Sequence, residues 1–436
     1  MGAKAQPAST QAVTSPRRLR GEITVPGDKS ITHRAFIFNA IAEGSAHVTN
    51  YLRGEDCLAT MNCLRALGVS IVEHDEVTAH VTGCGARGLS APAKTLDAAN
   101  SGTTMRLMSG LLAAQPFRSR ITGDASLRRR PMARVIEPLR LMGADIHGAA
   151  NDTLAPLTIQ GGTLRGIRYR MPVASAQVKS AILIAGLFAE GETTIEEPAA
   201  SRDHTERMFK AMGADIQVDG LRITVRHSNL KAIDVAVPGD ISSAAYWMVA
   251  AAIHGDADVL VRGVGVNPSR TGIIDVLREM GARLSLEKER LVGGEPVADI
   301  RVKSSKLKGV KIGGAIIPRL IDELPIIAVA AAMAEGKTEI RDAGEMRAKE
   351  SDRIVTTVAE LSKLGARVRE VKDGMTIVGG REGLRGAVCE SHGDHRLAMC
   401  AAVAGLVASG KTVINEASAV DISYPRFWSD LKSLAS

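Results

Sequence analysis

The chain has 436 residues, more than one hydrophobic core usually supports, so two domains are expected. Hydrophobic residues make up 45% and no apolar run approaches the roughly 18 residues of a membrane span, while five scattered cysteines without C-x-x-C spacing point to a reducing, cytoplasmic setting. A net charge of +7 would suit nucleic acid, a membrane surface or small anions; without a long Lys/Arg run, and with only 3% aromatics, small anions are favoured.

The first twenty residues contain no acid and are rich in Ala, Ser, Thr and Gln, which reads as a disordered tail over 1–18 or a weak organelle-targeting leader. No amphipathic pattern appears there, which favours the tail. "VPGDKSITHR" from Val25 to Arg34 then opens a buried-type helix, and "VPGDISSAAY" from Val237 to Tyr246 opens another. In both, a Pro-Gly turn precedes an Asp suited to N-capping.

Between and after these copies the chain repeats itself. Alanine-rich helices, apolar almost all round, alternate with a second helix that stops at Gly68, Gly143, Gly213, Gly281 and Gly365, each suited to a left-handed C-cap and followed by a strand-like run. The unit is a buried helix, a strand, an outer helix and further strands. It is about 70 residues long and occurs six times, the last copy cut short. Six units imply two domains of three: 27–238, and 1–26 with 239–436, joined at the two Pro-Gly crossings.

The charged motifs fall mainly where buried helices begin. Lys29, Ser30 and Arg34 lie on the first turns of the first helix, where free backbone N–H groups attract anions. "NSGTTMRLMSG" opens the second with Gly102, which offers bare backbone; "LRRRPM" adds Arg128, Arg129 and Arg130, either a phosphate-binding cluster or a surface patch. "SAQVKSA" brings Ser175, Gln177 and Lys179 to the third, and "SRDHTERM" adds Arg202 and His204, either of which would equally fit an outer face. In the second half, "RLIDELP" sets Asp322 and Glu323 before an apolar helix, where N-capping by one of them accounts for the charge. "MRAKESDRI" supplies Lys349, Glu350 and Arg353, and "HGDHRLAM" supplies Asp394, His395 and Arg396; ion-pair networks are the alternative for both. Helix starts of three units would line a common mouth, and closing the two domains would bring the cations of one to the acid–base groups of the other.

Taken in order, "PGDKSITHR", "NSGTTMRL", "RRRPM", "SAQVKSA", "IDELP", "KESDR" and "GDHRLAM" resemble the 5-enolpyruvylshikimate-3-phosphate synthase family from about Leu19 to "SYPRFW". The resemblance implies an α/β fold of two similar domains, each of three β-α-β-α-β-β repeats with helices buried and sheets outside, an inside-out α/β barrel. It implies transfer of the enolpyruvyl group of phosphoenolpyruvate to the 5-hydroxyl of shikimate 3-phosphate without metal or organic cofactor, by a cytoplasmic monomer open to glyphosate. Carried over residue by residue, Lys29, Ser30, Arg34, Ser175, Ala176, Gln177, Arg202, Asp322 and Lys349 match shikimate-phosphate contacts. Lys29, Gly102, Arg130, Gln177, Arg353 and Arg396 match phosphoenolpyruvate contacts. Glu350, with Lys29 as competitor, matches the proton donor and Asp322 the hydroxyl's partner. The chain departs from the pattern at Leu107, where other members carry proline, and at Ile422 and Ser423, where some carry lysine. A related transferase acting on UDP-N-acetylglucosamine uses a loop cysteine that this chain lacks in any comparable Arg-rich loop; a non-catalytic polyanion-binding module is the other rival.

Overall fold

A computed structural model describes residues 9–380 and 383–435. They group into two units, one of Gly27–Pro238 with Leu291–Glu295, the other formed by the segments up to Pro26, Gly239–Arg290 and from Pro296 onward.

In the first unit, three helices, Lys29–Ala40, Gly102–Ala113 and Ala176–Gly186, are buried over most of their length. Small and apolar side chains make up most of each, and the charged ones they bury, Arg34, Arg106 and Lys179, find partners inside the unit. Gly110 lets two of them touch, since a Cβ there would stand 2.1 Å from the Ala181 carbonyl oxygen. Each helix leads into the central strand of a four-stranded sheet, followed by an outer helix and an antiparallel hairpin. In the sheet of the second repeat, Leu96–Asp97 runs parallel to Arg118–Thr122, which pairs antiparallel with Leu154–Gln160. Alternating buried and exposed residues, as in Ser45–Thr49, put one face of each sheet on the core.

The second unit repeats the scheme with Ile241–Ile253, Leu324–Met333 and His395–Gly405. The strands before the two V-P-G-D turns are exchanged. Leu19–Thr24 pairs with Ala257–Gly265 of the second unit just before the chain enters the first, and Val235–Ala236 pairs with Ser45–Thr49 of the first just before the chain leaves it.

Among the described residues, the last repeat has no hairpin, and the amino-terminal segment takes that place. Thr10–Thr14 pairs antiparallel with Lys411–Asn415, from Thr10 opposite Asn415 to Thr14 opposite Lys411. Val13 is buried against Gly405. This corrects the tail expected over 1–18: Thr and Val suit a pleated edge, and without this strand the Lys411–Asn415 strand would have an open side. Residues 1–8 of that expected tail lie outside the described residues.

Five of the six buried helices start on a side-chain cap. Asp28, Ser101, Ser175, Asp240 and Asp394 each accept a backbone N–H from the first turn. The sixth, Leu324–Met333, does not. Glu323 stands at its cap position without a capping bond, which corrects the expectation that Asp322 or Glu323 is there as an N-cap.

Candidate active site

In the first unit, side chains tie the three helix starts together. Lys29 reaches the Asp56 carboxylate at 3.1 Å, and Arg202 donates to the Ser30 hydroxyl at 3.4 Å. Arg34 is buried and held on three sides: its Nε donates to Thr205 at 2.7 Å, Nη1 to the Ser30 carbonyl at 2.9 Å, and Nη2 to Ser180 at 2.6 Å. Burial, partly offset by Glu206 and Asp28, pushes its pKa down to about 10, so it remains a cation at neutral pH.

A second knot joins the Gly102 and Ala176 helices. Arg106 donates to Gln177 Oε1 at 2.5 Å and to the Pro131 carbonyl at 3.2 Å, and Gln177 donates in turn to Thr103 at 2.9 Å. A Cβ on Gly102 would stand 2.7 Å from Arg106 Nη1 and 3.4 Å from Arg130 Nη1. Arg130 is buried and donates to Asn100 Oδ1, while its neighbours Arg128 and Arg129 are exposed. Only one of the three arginines in "LRRRPM" therefore belongs to this knot.

Lys179 differs from its motif neighbours. One turn into the helix, with 1% of its side chain exposed, it pairs with Glu197 at 2.9 Å and Glu206 at 2.6 Å. His204 is buried as well, 2.8 Å from Glu295, which answers the outer-face alternative.

The second unit holds the carboxylates. Asp322 Oδ1 lies 3.3 Å from Lys349 Nζ, 3.2 Å from Arg353 Nη1 and 3.9 Å from Arg396 Nε. Arg353, 1% exposed, also grips Asp394 through two nitrogens at 2.7 and 3.1 Å and Glu350 at 2.6 Å. Asp394 caps the helix that begins at His395. Burial would push the Asp394 carboxyl up, but the Arg353 guanidinium holds it below the usual range. Burial likewise works against the charge on Arg353 and Arg396. Asp394 and Glu350 outweigh it at the first, and Asp322 at the second, so both pKa values rise.

The arrangement thus gathers Lys29, Ser30, Arg34 and Arg202 at one start, Gly102, Arg130 and Gln177 around Arg106, and Asp322, Lys349, Glu350, Arg353 and Arg396 around one guanidinium. Ser175 caps its helix, so Ala176 begins the first turn beside it. Forked cations and helix N-termini suit phosphate and carboxylate groups, and carboxylates held beside a buried cation suit acid–base work. Asp56 and Arg106 were missed by local reading, because their partners lie 27 and 71 residues away along the chain.

The EPSP synthase (3-phosphoshikimate 1-carboxyvinyltransferase) family model matches residues 13–431. The chain belongs to the EPSP synthase family. It is 57% identical over 426 residues to the 3-phosphoshikimate 1-carboxyvinyltransferase of Desulforudis audaxviator, covering 98% of this chain and 99% of that protein. Identity to the enzyme of the same name from Desulforamulus reducens is 55% over 419 residues, covering 96% and 97%. The fold is similar to a solved EPSP synthase from Acinetobacter baumannii, with a TM-score of 0.88, 46% identity and 98% of each chain covered. This is the shikimate-pathway family whose members move the enolpyruvyl group of phosphoenolpyruvate to shikimate 3-phosphate. The mixed α/β fold expected from the sequence agrees with these neighbours, and the two rival readings fall away. Burial raises the Cys84 and Cys400 thiols and pushes those of Cys63 and Cys389 up to about 12, so none of the four stands as a thiolate at neutral pH.

Proposed function

We propose that this chain catalyses attack of the 5-hydroxyl of shikimate 3-phosphate on phosphoenolpyruvate, giving a tetrahedral ketal phosphate that expels phosphate and leaves the enolpyruvyl ether. The segments 27–238, and 1–26 with 239–436, serve as its two domains. The first supplies Lys29, Ser30, Arg34, Ser175, Ala176, Gln177 and Arg202 to shikimate 3-phosphate, and the second adds Asp322 and Lys349. Lys29, Gly102, Arg130, Gln177, Arg353 and Arg396 hold phosphoenolpyruvate, their cations neutralising its phosphate and carboxylate.

The carrying observation is that Arg353 binds both Asp322 and Glu350, at 3.2 and 2.6 Å. One buried cation thereby orients two carboxylates for opposite tasks. Asp322 takes the proton from the hydroxyl as its oxygen attacks, and Glu350, with Lys29 as the alternative donor, gives a proton to the methylene carbon; as phosphate leaves, the roles exchange, the methyl returning a proton to the carboxylate and the leaving phosphate taking one. The enzyme works as a cytoplasmic monomer, and glyphosate competes with phosphoenolpyruvate. Phosphate release is the test. It should require both substrates together, and release from phosphoenolpyruvate alone, or none with both present, would overturn the proposal.

A further inference from the structure

The second V-P-G-D turn faces inward. Asp240 and Ser242 at its helix start are buried, and one guanidinium joins them: Arg270 Nη2 lies 3.3 Å from Asp240 Oδ1 and 2.6 Å from Ser242 Oγ. The same nitrogen is 3.7 Å from Glu323 Oε1, to which Ser242 donates its hydroxyl. Arg270 has 3% of its side chain exposed and Glu323 none. An uncompensated carboxylate at that depth would cost several kcal/mol, so Arg270 and Glu323 hold each other in place.

A reciprocal contact comes from the other side. Arg319 reaches back to the loop that carries Arg270, donating to the Pro268 carbonyl at 2.8 Å and Thr271 Oγ1 at 3.1 Å, and pairing with Asp275 at 2.8 Å. The loop itself is set by its own turn, with Arg270 N bonded to the Asn267 carbonyl at 2.8 Å and Ser269 N to the Asn267 side chain at 2.9 Å. Gly272 lies so close that a Cβ there would stand 2.9 Å from Leu320 Cδ2.

Asp322 thus sits between two anchored residues, Arg319 and Glu323. That explains a charge with no capping role at position 323. We infer that Arg270 and Glu323 are positioning residues which, through the 267–271 loop, fix the carboxylate of Asp322 against Arg353 and Lys349. The inference rests on the proposed role of Asp322 in enolpyruvyl transfer and adds residues that touch neither substrate.

A kinetic double-mutant cycle tests it, using full-length protein and phosphate release from shikimate 3-phosphate and phosphoenolpyruvate. Arg270→Met should lower kcat by about 10- to 100-fold, the scale of a misplaced catalytic group, with KM for phosphoenolpyruvate changing far less. In an Asp322→Asn background the same change should cost less than about twofold, because the residue it positions is already disabled. Glu323→Gln, which keeps the shape, runs through the same cycle and decides the matter if Arg270→Met does not fold. Equal fold losses in both backgrounds, or an unchanged kcat, would overturn the inference. Wild-type protein without phosphate release would instead remove the enzymatic reading beneath it, an outcome visible before any variant is made.

Discussion

Replacing Lys179 with methionine should destabilise the first unit sharply while leaving in place the charges proposed to hold substrate. The lysine is 1% exposed and bridges Glu197 and Glu206 at 2.9 and 2.6 Å. Ser201 also donates to Glu197, but Glu206 Oε2 is buried with no hydrogen-bond partner, so Glu206 depends heavily on the ammonium. Breaking a buried ion pair by removing one partner costs about 3–5 kcal/mol, because the other charge is stranded. At about 2–4 °C per kcal/mol for a domain of this size, the thermal midpoint should fall by roughly 6–20 °C. Differential scanning calorimetry or far-UV circular dichroism at pH 7.5 reads it. Adding Glu197→Gln and Glu206→Gln should recover most of the loss, since the stranded charges are then gone. A midpoint within about 2 °C of wild type for Lys179→Met alone, under the same conversion, would show that the three groups are not a mutually dependent cluster.

His33 predicts a pH dependence. Burial, reinforced by Lys29 and Arg34, holds its pKa well below the ordinary value, and its Nδ1 is 2.7 Å from Thr60 Oγ1. The unfolded imidazole takes a proton as pH falls through about 6.5 while the folded one does not, so stability is lost from there downward by up to about 1.4 kcal/mol per pH unit. Urea unfolding at pH 7.5 and 5.5 should show a smaller difference for His33→Gln than for wild type; equal differences would refute the assignment. Gly102→Ala should force Arg106 Nη1, 2.7 Å from the new Cβ, away from Gln177. Losing that charge-assisted bond should raise KM for phosphoenolpyruvate by roughly tenfold with little change in melting temperature, and an unchanged KM would contradict it. Glu350→Gln and Asp322→Asn should each lower kcat by about 10²- to 10⁴-fold in phosphate-release assays, the usual worth of an acid or base, and near-normal turnover from either would remove its role.

Much of the architecture was readable because its causes are local. A glycine that ends an outer helix in the left-handed region, as Gly68, Gly143 and Gly213 do, is written in the chain, and so is a helix apolar on every face such as Ile241–Ile253. The caps at Asp28 and Asp240, one in each V-P-G-D turn, were legible for the same reason. Long-range pairing was not. Thr10–Thr14 read as tail because its partner strand lies about four hundred residues later, and a strand of five residues with one apolar anchor gives little period of its own. Glu323 read as a cap because sequence shows the helix it precedes and not the Arg270 guanidinium 53 positions earlier that shares its burial. In the candidate site, motif order named residues to look at, but that Arg106 braces Gln177 and that Arg353 carries three carboxylates shows only in the fold.

The most direct test follows the proton. With shikimate 3-phosphate and phosphoenolpyruvate in D2O, addition followed by elimination passes through a methyl group that has gained one solvent deuteron, so deuterium should appear in the methylene of the enolpyruvyl product. Product that forms with its methylene free of deuterium would contradict protonation at that carbon, and with it the work assigned to Glu350 and Asp322.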